Sequence, residues 1–242
     1  MPENYNIEEI LSWFLTSYWG TTILMFATII FAMICSLKVK MTFAKYDRVS
    51  SLRGQPAHII ARQILDSHGL HDVDVVRTHG HLTDHYDPRK NIVALSDATY
   101  NSPSVSAIGI AAHECGHAIQ YAEHYVPVRM RGAIFPVVNI ANRTWIYMVI
   151  IGMFMYMPGM IYVGIAAFGL AVVFQLITLP VEFDASNRAL ATLESQCILD
   201  QSELKGAHRT LSAAALTYVA GLMVSIAQFL RIMAIARGGR RR

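Results

Sequence analysis

The sequence predicts a multi-spanning α-helical membrane protein that carries a small α+β domain at the membrane face. Three observations lead there. Of 242 residues, 54% are apolar and only 15% charged, a balance too greasy for an ordinary soluble domain. The apolar residues gather in runs at 18–37, 132–157, 161–181 and 211–236, each close to the roughly 20 residues that cross a bilayer as a helix. Residues 38–131 contain no such run and alternate helical with strand-like patterns instead.

Residues 1–17 form an N-terminal segment with Glu3, Glu8 and Glu9 and no Lys or Arg, the opposite of a secretory leader, so the run at 18–37 is expected to stay as an anchor. Lys38, Lys40, Lys45, Arg48 and Arg53 follow it, which puts residues 38–131 in the cytoplasm by the positive-inside rule. Within them, Pro56 opens a helix that His68 and Gly69 close. Residues 72–77 read as a strand, and 81–86 and 91–96 as hairpin arms around Asp87-Pro88-Arg89-Lys90. A further helix runs from about Ser102-Pro103 to Glu123.

Only Pro158-Gly159-Met160 separates the second and third runs, so they form an antiparallel hairpin and residue 182 returns to the side that residue 131 left. Asn139, Asn142 and Arg143 share one helical face and are costly in lipid. That face is read as turned toward a catalytic cavity, the other reading being inter-helix hydrogen bonds with a snorkelling Arg143. Residues 182–210 read as a helix and a polar linker. The run at 211–236 is long enough to span, but a crossing would export the basic tail at 237–242, so a re-entrant or interfacial helix is the alternative. Cys35, Cys115 and Cys197 are odd in number and scattered, and suggest no disulfide framework. The net charge of +3 and the short tail give no reason to expect nucleic-acid binding.

The chemistry concentrates in His113-Glu114-Cys115-Gly116-His117. Residues four apart share a helix face, so His113 and His117 can direct ring nitrogens at one zinc ion, with Glu114 beside them as general base. Cys115 points to the opposite side and reads as core. A third ligand is needed. The positions that would hold Gly and His in a metzincin are Gln120 and Glu123, which leaves a Glu on a second helix, the gluzincin arrangement. Glu182 in the 182–210 helix is the best candidate, with Asp184 next.

Together, HECGHAIQ at 113–120, EFDASNRAL at 182–190 and LTDHYDPRKNIVALSDATYNSPSVSA at 82–107 closely resemble the YugP-type membrane zinc metallopeptidases of bacteria. More distantly, the layout is similar to the HtpX and CAAX-prenyl-protease group. The resemblance implies a zincin-like (gluzincin) catalytic domain, one Zn2+ per chain held by His113, His117 and Glu182, and Glu114 as base. It departs from the distant group at Ser186, where that group has Asp.

The function this implies is zinc-dependent endopeptidase action on membrane-associated protein or peptide substrates, at the cytoplasmic face of the bacterial cell membrane. The alternatives are a silent scaffold with a structural zinc site and an intramembrane, site-2-type metalloprotease. Candidates for stabilising developing oxyanion charge, or for supporting the ligands, are His85, Tyr86, Arg188, Arg143 and Asp184. Ile92, Val93, Ala94 and Leu95 are placed to serve as an edge strand for extended substrate. His79, His81 and His85 read as a loop near the cleft, not as a metal site.

Overall fold

The computed structural model describes residues 6–238; Glu3 and Arg240 to Arg242, used above for topology, lie outside them. The described chain is mostly helical, with one three-stranded sheet. In order it forms α1 (Ile7–Thr16), α2 (Tyr18–Asp47), α3 (Ala57–Ser67), β1 (Asp74–Thr78), β2 (His85–Asp87), β3 (Ile92–Ser96), α4 (Val105–Ala122), α5 (Val126–Phe154), α6 (Pro158–Ser195) and α7 (Gln201–Gly238). Two compact units result: Cys35–Met130 with Thr178–Thr217, and the remaining described residues.

The first unit is built around a dry core. In α3 the apolar residues Ile60, Ala61, Ile64 and Leu65 recur at helical spacing and are buried, and they pack with Val93 and Leu95 of β3, Ile108 of α4 and Leu193 of α6. The helix stops where expected, because Gly69 adopts a left-handed φ of 74°. The sheet order is β1-β3-β2. β1 runs parallel to β3, with Val75 opposite Val93, and β2 runs antiparallel to it, with Tyr86 opposite Val93. The turn between β2 and β3 is set by the Asp87 carboxylate, which accepts the Arg89 amide at 2.9 Å, and by Asn91 at φ 56°.

The first hairpin arm is shorter than the sequence suggests. Gly80 and Leu82 take left-handed φ values of 114° and 57°, and Asp84 accepts the Ser96 amide at 2.8 Å, so a side chain stands where a strand partner would be. A larger correction concerns Ile92, Val93, Ala94 and Leu95. They lie in the central strand, with β1 on one side and β2 on the other. Both hydrogen-bonding edges of β3 are therefore taken, and those residues cannot add an extended substrate.

In the second unit Val149, Ile165, Phe168 and Ile232 form a smaller core, with the Trp145 and Phe168 rings 4.6 Å apart. Gly164 lets α5 and α6 approach closely, since a Cβ there would stand 2.9 Å from the Trp145 carbonyl oxygen. Gln175 donates to Ser225 at 2.7 Å, joining α6 to α7. Elsewhere apolar side chains point outward, as with Phe26 at 58% and Ile140 at 65% exposure. Among the described residues four helices, α2, α5, α6 and α7, are long and apolar enough to cross a membrane.

Two connections differ from expectation. The chain reverses at Met155 to Met157, with Tyr156 at φ 55°, and Pro158 is the first residue of α6 instead of part of the link. Pro suits that position because its missing N–H is not needed there. The polar stretch after residue 199 is likewise helix from Gln201. Asp200 accepts the Glu203 amide at 2.7 Å and the Glu203 carboxylate accepts the Asp200 amide at 2.9 Å, a reciprocal cap that starts α7 at once.

Candidate metal centre

The site is assembled inside the first unit from α4 and the last turns of α6. Ser104 caps α4 by accepting the Ala107 amide at 3.2 Å, and small residues such as Ala107, Ala111 and Ala112 let the helix sink into the core. His113 and His117 then share one face, their rings 4.7 Å apart and nearly perpendicular at 80°. Gly116 lies between them in the sequence. A Cβ there would stand 2.6 Å from the Ala185 carbonyl oxygen, so glycine is what lets α4 rest on the backbone of α6.

That close approach brings in Glu182. Its Oε2 lies 3.4 Å from His113 Nε2 and 3.6 Å from His117 Nε2. Among the described residues this is the one trio of metal-ligating side chains whose donor atoms converge, all within 4.8 Å of one another. Ligands about 2.0–2.1 Å from a tetrahedral zinc ion stand about 3.3–3.4 Å apart. The two His–Glu separations come close to that, and two imidazole nitrogens with a carboxylate oxygen are a donor set that suits zinc. Burial opposes a charge on His117, but the Glu182 and Glu114 carboxylates and Gln120 outweigh it and hold the imidazole above its ordinary pKa.

Glu114 is buried next to the trio. Cys115 turns the other way, fully buried, with its thiol toward the Ala61 carbonyl at 3.6 Å; burial pushes that thiol well above its usual pKa. All three cysteines are free. The outward-facing nitrogens of the trio also have partners. His113 Nδ1 is 3.1 Å from Ser186 Oγ, and His117 Nδ1 is 3.1 Å from Gln120 Oε1. Sequence reasoning gave neither residue a supporting role. The available signal was spacing, since Gln120 lies three residues beyond His117 and Ser186 four beyond Glu182.

The remaining candidates separate by what they touch. Asp184 accepts from Gln120 at 2.8 Å and from Arg188 at 2.5 Å, and Arg188 also donates to Glu123 at 2.6 Å. Arg188 thus ties α6 to the end of α4. The Tyr86 hydroxyl donates to Asn91 at 3.2 Å, and burial, then the neighbouring Tyr121, push its pKa up to about 12, so it stays protonated. His85 is exposed, with Nδ1 2.9 Å from the Thr83 carbonyl. Arg143 is exposed and belongs to the other unit. His79, His81 and His85 do not converge: His79 faces Asp97 at 3.6 Å and His81 sits edge-on to Phe43 at 5.4 Å.

Membrane-length helices and a converging His-His-Glu trio, its glutamate buried and its histidines half-buried, define a membrane protein with a candidate single-metal centre. A family model described as "Putative neutral zinc metallopeptidase" matches residues 21–237. A Bacillus subtilis (strain 168) protein named "Putative membrane protease YugP" is 46% identical over 203 residues, covering 84% of this chain and 90% of that protein. The chain belongs to this YugP-type zinc metallopeptidase family. No solved structure matches it.

Proposed function

We propose that the protein is a membrane-embedded zinc endopeptidase of the gluzincin type, cleaving membrane-associated proteins or peptides at the cytoplasmic face of the bacterial cell membrane. The observation that carries this is the convergence of His113, His117 and Glu182 beside a buried Glu114. His113, His117 and Glu182 would hold a zinc ion, which when bound would supply a Lewis acid and acidify a water at the site. Glu114 takes the proton from the attacking water and passes it to the leaving amine. The free edge of β2 replaces β3 as the strand to which an extended substrate adds.

The cytoplasmic assignment rests on Lys38, Lys40, Lys45, Arg48 and Arg53 after the first membrane-length run. The intramembrane reading is disfavoured because α4 is packed in a soluble-type core with α3 and the sheet.

The test uses purified full-length protein and an unfolded casein-like substrate. Glu114→Gln should keep zinc and fold normally while losing about 10²–10⁴-fold or more in rate; His113→Ala should lose zinc and activity together. Wild-type cleavage should stop with a chelator and return with added zinc. Equal cleavage by Glu114→Gln and wild type would leave the scaffold reading in its place. For orientation, a single cysteine at residue 89, on the exposed turn beside β2, should resist a membrane-impermeant thiol reagent in intact cells, on a background cleared of Cys35, Cys115 and Cys197. Labelling of that position would move the site outside.

A further inference from the structure

The two ligand histidines can serve a metal through Nε2 only if the proton of each neutral ring sits on Nδ1. What fixes it there is visible around Gln120. This side chain is fully buried. Its Nε2 donates to the Val181 carbonyl at 2.8 Å and to the Asp184 carboxylate at 2.8 Å. Both partners are acceptors only, so the amide cannot be flipped, and Oε1 is the atom left to face His117 Nδ1 at 3.1 Å. A carbonyl oxygen can only accept, so His117 Nδ1 must carry the proton and Nε2 must present its lone pair toward Glu182.

Asp184 is held in turn. Arg188 donates to its carboxylate and reaches across to Glu123 just past the end of α4. The result is a chain of fixed polarity, entirely within one unit: His117 donates to Gln120, and Gln120 and Arg188 both donate to Asp184. His113 has a lighter arrangement. Its Nδ1 meets Ser186 Oγ at 3.1 Å, on the α6 turn after Glu182, and a hydroxyl can either donate or accept. His117 is thus locked by chemistry and His113 is held by position.

Resting on the zinc reading above, we infer that Gln120 is the principal positioning residue of the centre, acting through its Oε1 on His117 Nδ1–H, with Ser186 a weaker counterpart for His113. The amide donors of Gln120 serve to orient it, and its acceptor is what acts on the ligand. This separates positioning from a merely structural tether between α4 and α6. Gln120→Leu removes both functions. Gln120→Glu keeps an acceptor at the same reach and, having oxygen at both ends, needs no orienting donors.

The experiment measures zinc affinity of full-length protein by chelator competition, together with the visible spectrum of the cobalt-substituted form. Gln120→Leu should weaken zinc by about 10–100-fold, the usual cost of removing such an outer partner, and alter the cobalt bands. Gln120→Glu, measured alone and with Asp184→Asn to relieve charge repulsion, should retain wild-type affinity within about threefold in at least one of the two, with wild-type-like cobalt bands. Ser186→Ala, a substitution a helix accepts readily, should weaken zinc by less than Gln120→Leu. The inference is overturned if Gln120→Leu binds zinc as tightly as wild type, or if both forms with Glu at 120 bind as weakly as Gln120→Leu. His117→Ala separates the two readings: if it too binds zinc like wild type, the metal assignment itself has failed.

Discussion

The two units use their apolar residues in opposite ways. In the unit that holds His113, His117 and Glu182, a core of large apolar side chains turns inward; Ile60, Leu95, Val105 and Leu193 are all fully buried. In the other unit many point outward, with Phe26, Ile30, Ile140 and Val173 each close to half exposed or more. A packed interior fixes side chains to fractions of an ångström, which a site of converging ligands requires. An outward-facing apolar surface suits a lipid solvent, where inter-helix packing relies on small residues and a few polar contacts such as Gly164 and the Gln175–Ser225 bond. The more apolar unit is thus the one whose side chains are less enclosed, and the precise site lies in the less apolar one.

The sharpest way to break that comparison is at the third ligand. Glu182→Ala should abolish stoichiometric zinc in metal analysis of purified protein, because only two imidazoles would remain. Full occupancy would shift the role to Asp184, which the structure instead commits to Gln120 and Arg188.

Next in size is the contrast between cores. Leu193→Ala empties a fully buried position and should cost about 2–5 kcal/mol. Ile140→Ala, at 65% exposure, should change stability by less than about 0.5 kcal/mol. Thermal unfolding of both variants in one detergent checks this. Equal losses would mean that Ile140 is covered by something absent from the isolated chain.

A smaller effect isolates the closeness of α4 and α6. In Gly116→Ala the new methyl must displace the Ala185 backbone from 2.6 Å, costing about 1–3 kcal/mol as over-packing does and weakening zinc by parting His117 from Glu182. Gly132, with nothing within 4 Å of an added Cβ, is the matched control: Gly132→Ala should be neutral or slightly stabilising, by up to about 1 kcal/mol. The readouts are thermal unfolding and chelator competition.

What could be read from the sequence follows from how local the determining physics is. The HECGH ligand pair depends on one helix turn and was legible; Glu182 could be named from the short link between two apolar runs, but its convergence with the pair also needs the close approach at Gly116. The central place of β3 was not, because its second neighbour, β1, pairs through a parallel crossover that no short-range pattern encodes. Ser186 was visible only as a departure from a related motif; its contact with His113 depends on how α6 is rotated against α4. The α5–α6 reversal was misplaced by three residues because Pro158 reads equally as turn or as helix start.

The start of α7 gives the smallest and most local test. The polar run around residue 200 looks like a linker by composition, yet Asp200 and Glu203 stand at the spacing of a reciprocal helix cap, and the structure shows both halves of it. Glu203 has a second duty, accepting the Leu52 amide at 2.6 Å through its other oxygen, so it joins α7 to the chain just after α2. Asp200 has only local partners by comparison, Ser202 and Glu203. Asp200→Ala should therefore cost one ordinary cap and leave zinc affinity unchanged. Glu203→Ala loses the cap and the long-range bond together, and should cost more, about 2 kcal/mol. Unfolding midpoints measured side by side would decide it: equal losses in the two variants would show that the Leu52 bond adds nothing and that α7 is held by its cap and its apolar face alone.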